Sequence, residues 1–89
     1  MSINNKKIEI LRKTIDKIDL KIIELLNKRM NASIEVGKIK SKLDVPVKDK
    51  DREQKIIDRL IKLKSENLSD DQLINIFSAV FKSSIDIQK

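Results

Sequence analysis

Apolar residues recur along the first half of the chain at alternating steps of four and three: Leu11, Ile15, Ile18, Ile22, Leu25, then Ala32, Val36 and Ile39. Such spacing keeps one side of an α-helix, or the seam of a coiled coil, continuously apolar. Between Leu25 and Ala32 the register asks for another aliphatic side chain, and the residue there is Arg29. The period does not slip at this point. A guanidinium withdrawn from water is costly unless an anion with good hydrogen-bond geometry meets it, so Arg29 requires a carboxylate of the protein or an anionic ligand.

The same pattern predicts three helices. The first runs from about Lys6 to about Lys42, because nothing before Gly37 interrupts it and Val45-Pro46-Val47 then reads as an extended connector. A second helix starts near Asp49 and carries Ile56, Leu60 and Leu63 on one face, with Asp49 and Glu53 preceding them on that face, and ends in Lys64-Ser65-Glu66-Asn67. The third opens with Ser69-Asp70-Asp71-Gln72, a capping box of the S-x-x-Q type. Its stripe is Leu73, Phe77 and Val80, continuing into Ser84 and Gln88. At 1.5 Å per residue the first helix would be roughly 50 Å long, whereas a compact monomer of this size should be about 30 Å across. Such a helix overhangs its own domain and needs a partner chain.

Composition agrees with an all-α fold. The chain has 89 residues with one Gly, one Pro and 2% aromatic content, which suits one small helical domain spanning residues 1–89. With no Cys and no His, neither a disulfide framework nor a structural zinc site is expected. The N-terminus leads straight into a charged amphipathic segment with no apolar leader and no apolar span, so a cytoplasmic location away from membranes is the expectation. The formal net charge is +6, but the lysines are scattered among the acids and there is no Trp or Tyr to stack on a base, which argues against a nucleic-acid partner. Of the twenty basic residues only Arg12, Arg29, Arg52 and Arg59 are arginines. A chain that uses Lys for solubility can reserve Arg for bidentate carboxylate clamps.

Helix arithmetic sharpens this. Arg29 and Lys40 are eleven residues apart, within about 20° of three whole turns, and so share a face about 16 Å apart. Arg12 lies about 100° around the helix from Arg29 and roughly 42 Å from Lys40. One straight helix cannot bring Arg12 and Lys40 to one small ligand, but an antiparallel copy in a two-fold dimer can supply its Arg12 to the site around Arg29 and Lys40. Each polar intrusion also has a purely structural reading. Arg29 can pair with Glu53 or Asp49, Lys40 can snorkel from the helix end, Asp49 can cap the second helix, and Ser84 can bond the preceding turn. Gln88, one residue from the end of the sequence, can be frayed and wet, and Gly37 can be a neutral lapse or a point of close backbone approach. Cations, acceptors and neutral donors on three helices facing one interior nevertheless describe a ligand pocket.

Several segments together carry a family likeness: Leu11-Arg12 with Ile15, Ile18 and Asp19; Leu25-Leu26-Asn27-Lys28-Arg29; Val36-Gly37-Lys38-Ile39-Lys40; Val47-Lys48-Asp49-Lys50-Asp51-Arg52-Glu53; and Ser84 through Gln88. In these the chain resembles the all-helical chorismate mutases, over nearly its whole length. The resemblance implies an intertwined homodimer of three-helix protomers, each with one long N-terminal helix, converting chorismate to prephenate at two shared sites. It implies that Arg12 of one protomer and Arg29 and Arg52 of the other bind substrate carboxylates. Lys40 would donate to a carboxylate and to the ether oxygen of the breaking bond, and Gln88 to the same ether oxygen. Asp49 and Glu53 would contact the region of the ring hydroxyl, and Ser84 would assist with a carboxylate. Lys40, Gln88 and Glu53 are the catalytic set that this likeness implies.

A Claisen rearrangement breaks a C–O bond and forms a C–C bond within one molecule, so the implied reaction needs no nucleophile, metal or cofactor. The protein must hold a flexible dianion in its reactive conformation and stabilise charge growing on the ether oxygen. Two other readings remain open from sequence: a related pericyclic enzyme releasing pyruvate from isochorismate, and a non-catalytic basic helical dimer.

Overall fold

A computed structural model describes residues 2–89. It contains three helices, α1 (Ile3–Leu43), α2 (Lys50–Leu63) and α3 (Asp70–Gln88), and no strand among the described residues. The backbone groups into two compact units, one ending at Asn31 and the other running Ala32–Lys89. α1 belongs to both.

The first unit is helical throughout from Ile3. Its start is marked by Ser2, whose Oγ accepts from the Asn5 backbone N–H at 3.3 Å, in the manner of an N-cap. Every Ile and Leu from Ile3 to Leu25 is exposed, including the seam residues Leu11, Ile15, Ile18, Ile22 and Leu25. The periodicity that defines the helix is therefore not spent on a core inside this unit.

The second unit does build a core. Ile56 and Ile57 from α2 pack with Leu73 and Phe81 from α3, and Leu60, Ile61, Leu68 and Phe77 close around them. The two phenylalanine rings meet in a tilted arrangement with centroids 6.0 Å apart, within the range aromatic pairs favour. Two caps define the ends that face one another across the α2–α3 connection. Lys64 N–H donates to the Leu60 carbonyl at 2.9 Å, and the capping box is complete: Gln72 N–H donates to Ser69 Oγ at 3.1 Å while Ser69 N–H donates to Gln72 Oε1 at 2.9 Å. A Lys64–Asp70 ion pair of 3.0 Å spans the same connection.

Three sequence expectations shift. Leu63, placed on the core stripe of α2, is 74% exposed, because it is the last residue of the helix and the stripe has run past its cover. Ile57 and Phe81, outside the one-residue-wide stripes, are buried, since a buried helix face is about 100° wide and admits the neighbour of each stripe residue. Within Ala32–Leu43 the inward residues are Ser33 and Gly37, with Lys40 half-buried, while Ala32, Val36 and Ile39 are exposed. Small side chains mark the fully buried positions there, with Ile34 half-buried beside them.

Candidate functional site

The end of α1 is built to hold Lys40. Asp44 adopts φ 56, the left-handed conformation that reverses a chain after a helix. Val45 N–H then reaches back to the Lys40 carbonyl at 3.1 Å and Asp44 N–H to the Ser41 carbonyl at 3.3 Å, the paired bonds of a Schellman motif. Pro46 follows and keeps the connector extended. As a result Val47 comes back over the helix, and its carbonyl accepts from Lys40 Nζ at 2.8 Å. Lys40 is gripped twice by one connector, through its backbone carbonyl and its side chain. This is a defined hydrogen bond and not a side chain reaching for open water.

Lys40 lines an open cleft of about 310 Å³ with Val45, Pro46, Lys48 and Asp49 among its walls. Asp49 is the N-cap of α2, its Oδ1 accepting from Arg52 N–H at 3.0 Å. The capping reading of Asp49 is correct, yet one oxygen of a carboxylate with two is occupied by it. Arg52, on the first turn of α2, is exposed. Glu53, next in sequence, is half-buried and lines a different cavity of about 360 Å³ between α2 and α3, floored by Ile57, Ile74 and Phe81.

On α3 the stripe ends as the sequence predicts, in polar residues turned inward. Ser84 is buried and Gln88, the last helical residue, is half-buried. Gln88 is neither frayed nor wet. It lies against Gly37 so closely that a Cβ on that glycine would stand 2.9 Å from Gln88 Cβ and 3.0 Å from its Cα and Cγ. Gly37 is thus a point of close backbone approach. Lys40 follows Gly37 by three residues, nearly one turn along the same helix. Gln88 Oε1 is buried with no hydrogen-bond partner. An orphaned buried carboxamide oxygen is uncommon and calls for an explanation.

Six of the eight site residues expected from sequence, Lys40, Asp49, Arg52, Glu53, Ser84 and Gln88, therefore fall in the second unit: Lys40 and Asp49 line one cleft, Glu53 lines the other cavity and Gln88 meets Gly37, while Arg52 and Ser84 line neither cavity. Arg12, exposed, and Arg29, half-buried, belong to the first. One element escaped sequence reasoning: the Val47 carbonyl that holds Lys40. A backbone acceptor has no side-chain signature, and only the Val45-Pro46-Val47 connector hints at it. Among the described residues no group of three or more His, Cys, Asp or Glu is placed to hold a metal ion, and no helix is long and apolar enough to cross a membrane.

Comparison with known proteins gives these positions a context. Residues 11–89 match the family described as chorismate mutase type II. The chorismate mutase of Methanocaldococcus jannaschii is 36% identical over 85 residues, which cover 94% of this chain and 86% of that protein. The bifunctional chorismate mutase/prephenate dehydratase of Aquifex aeolicus is 31% identical over 83 residues, 89% of this chain but only 23% of that much longer protein. Among solved structures, form II of the chorismate mutase from Thermus thermophilus superposes with a TM-score of 0.89 at 28% identity, covering 92% of this chain and 93% of that one. With the family match extending over most of its length, the chain belongs to the type II chorismate mutases.

Proposed function

We propose that this family member rearranges chorismate to prephenate as a single domain of residues 1–89, in the cytoplasm, at two equivalent sites of a homodimer. The observation that carries the proposal is the contact of Gln88 with Gly37, one turn from a Lys40 already fixed by the Val47 carbonyl. It supports a pair of neutral and cationic donors held near each other by packing before substrate arrives. An ammonium has three N–H bonds; with one spent on Val47, Lys40 keeps two, one for a substrate carboxylate and one for the ether oxygen. Gln88 supplies its amide N–H to the same ether oxygen. A carboxamide exchanges its two ends by a half-turn, so the buried end that now lacks a partner becomes the donor end when an acceptor is present.

Arg29 and Arg52 of one protomer and Arg12 of the other clamp the two carboxylates of the substrate, with Ser84 assisting. Asp49, through the oxygen its cap leaves over, and Glu53 accept from the ring hydroxyl region. Holding both ends of the dianion confines it to the compact reactive conformer, where orientation contributes up to about 7–11 kcal/mol in favourable cases. As the C–O bond lengthens, negative charge grows on the ether oxygen, and each preorganised donor there contributes roughly 3–4 kcal/mol if it behaves like an oxyanion-hole donor. The exposed seam of α1 supports the homodimer, since a second copy of the same helix is its natural cover.

The test is loss of chorismate absorbance on adding purified protein, with the product identified. Prephenate formed well above the spontaneous rate is the expected result. No acceleration by an intact dimer removes the enzyme reading, and pyruvate released from isochorismate in its place moves the assignment to the lyase.

A further inference from the structure

The geometry points to Gly37 as the positioning residue for Gln88: the missing Cβ at Gly37 sets where the catalytic carboxamide stands. The inference rests on the reading of Gln88 as a donor to the ether oxygen and adds a residue that touches no substrate itself.

Gln88 is the last residue of α3. Its Oε1 is buried and has no hydrogen-bond partner, and no protein donor therefore steers that oxygen. Packing must do so. The packing surface is Gly37, buried near the C-terminal end of α1, where the Cα, Cβ and Cγ of Gln88 stand in the space a side chain at position 37 would need. A methyl group at position 37 would face contacts of 2.9 and 3.0 Å, against the 3.5–4.0 Å that carbon atoms prefer. Two of the three opposing atoms are the Cα and Cβ of Gln88, which cannot rotate away. Either the last turn of α3 or the α1 backbone must move by roughly half an ångström to one ångström. Whichever backbone yields, Gln88 shifts relative to Lys40, which stands on the same helix as Gly37.

Gly is otherwise a poor choice in this position. In a helix interior Ala is the stronger helix former, so Gly37→Ala brings α1 a gain in propensity that opposes the cost of the displaced contact. Folding and turnover should consequently respond differently, and this separates a positioning role from a structural one. A misplacement of about 1 Å in a donor set can cost on the order of 100-fold in rate.

The experiment is a double-mutant cycle of Gly37→Ala and Gln88→Ala, with kcat and KM for chorismate, helical content by circular dichroism and oligomeric state measured for all four proteins. Gly37→Ala is expected to lower kcat by roughly 10- to 100-fold with KM changed by less than about threefold, helical content and assembly being retained. In the Gln88→Ala background it should add less than about twofold, because the amide it displaces is already gone. The side-chain amide resonance of Gln88 should shift in Gly37→Ala while those of Gln54 and Gln72 stay in place. Wild-type kcat in Gly37→Ala, or the same loss in both backgrounds, overturns the proposal, as does a variant that loses its helical signal and so makes Gly37 a requirement of folding. Full turnover in Gln88→Ala is a different failure: it removes Gln88 from the chemistry, and the positioning role falls with it.

Discussion

From Ile3 to Leu25 the chain exposes every Ile and Leu it carries, whereas between Ala32 and Lys89 it closes a core on Ile56, Ile57, Leu73 and Phe81. Leu25 is 64% exposed and Leu73 is 4% exposed, although each occupies its place in an equally regular helical period. Periodicity specifies that a helix has an apolar side; it does not specify which chain supplies the cover. In the second unit α2 and α3 cover one another. Among the described residues of the first there is a single helix and no second element, although helices in proteins gain most of their stability from packing such a face. The division also runs through the proposed chemistry, with Arg12 and Arg29 on one side and Lys40, Asp49, Arg52, Glu53, Ser84 and Gln88 on the other. The proposed homodimer is the reading in which a second copy covers the exposed seam.

Placing charge in the seam is the strongest way to break this difference. Ile15→Glu combined with Ile22→Glu puts two carboxylates where the proposed partner helix would bury apolar surface. Both positions are exposed within the single chain, so the substitutions should leave the second unit folded. Sedimentation should show a monomer, and turnover should fall to the uncatalysed rate. A dimer with full activity would mean that the seam is not the interface.

The next effect is confined to chemistry. Lys40→Ala removes a donor but neither bond of the Schellman motif, since that motif uses the Lys40 backbone. Loss of one preorganised donor to developing charge costs about 10²–10³-fold in kcat, with helical content unchanged; near-normal turnover would show that Lys40 serves only the Val47 carbonyl. Arg12→Ala is expected to be crippled as well. Mixing the two variant proteins under conditions of verified subunit exchange should restore one intact site in each heterodimer, because one chain then contributes its Arg12 and the other its Lys40. If activity does not return, the two residues act within one chain and the shared-site reading is lost.

The sequence made the helical framework legible where local rules are strong. Ser69 and Gln72 form the capping box that their spacing announces, Asp49 caps α2, and the α3 stripe ends in an inward Ser84 and Gln88. It was less legible where contact depends on size and not on polarity. The inward face of α1 between Ala32 and Leu43 carries Ser33 and Gly37, which a search for apolar residues passes over in favour of Val36 and Ile39. The residue types of the proposed site could be read at single positions, but the grip of the Val47 carbonyl on Lys40 could not, because it belongs to the backbone path after Pro46. The left-handed turn at Asp44 was equally hidden, since a turn of this kind ordinarily advertises itself with Gly or Asn.

That turn offers the smallest test, and one whose sign can be argued. Asp44 is a residue with a Cβ in a conformation that costs L-amino acids roughly 1–2 kcal/mol, less for Asp because of its short polar side chain. Gly accepts φ 56 without that penalty but brings a more flexible unfolded chain, which offsets part of the gain. The net for Asp44→Gly should be a stabilisation of about 0.5 kcal/mol, seen as a rise of a few degrees in Tm at fixed protein concentration. Asp44→Val should move the other way by more than about 1 kcal/mol, since a β-branched residue at positive φ is strained. Because the Lys40 carbonyl accepts the bond that closes this motif, the two variants also probe the site: Asp44→Gly should keep turnover, while Asp44→Val should loosen the end of α1 and lower kcat along with Tm. Equal Tm values for the two would mean that the conformation at Asp44 carries no strain.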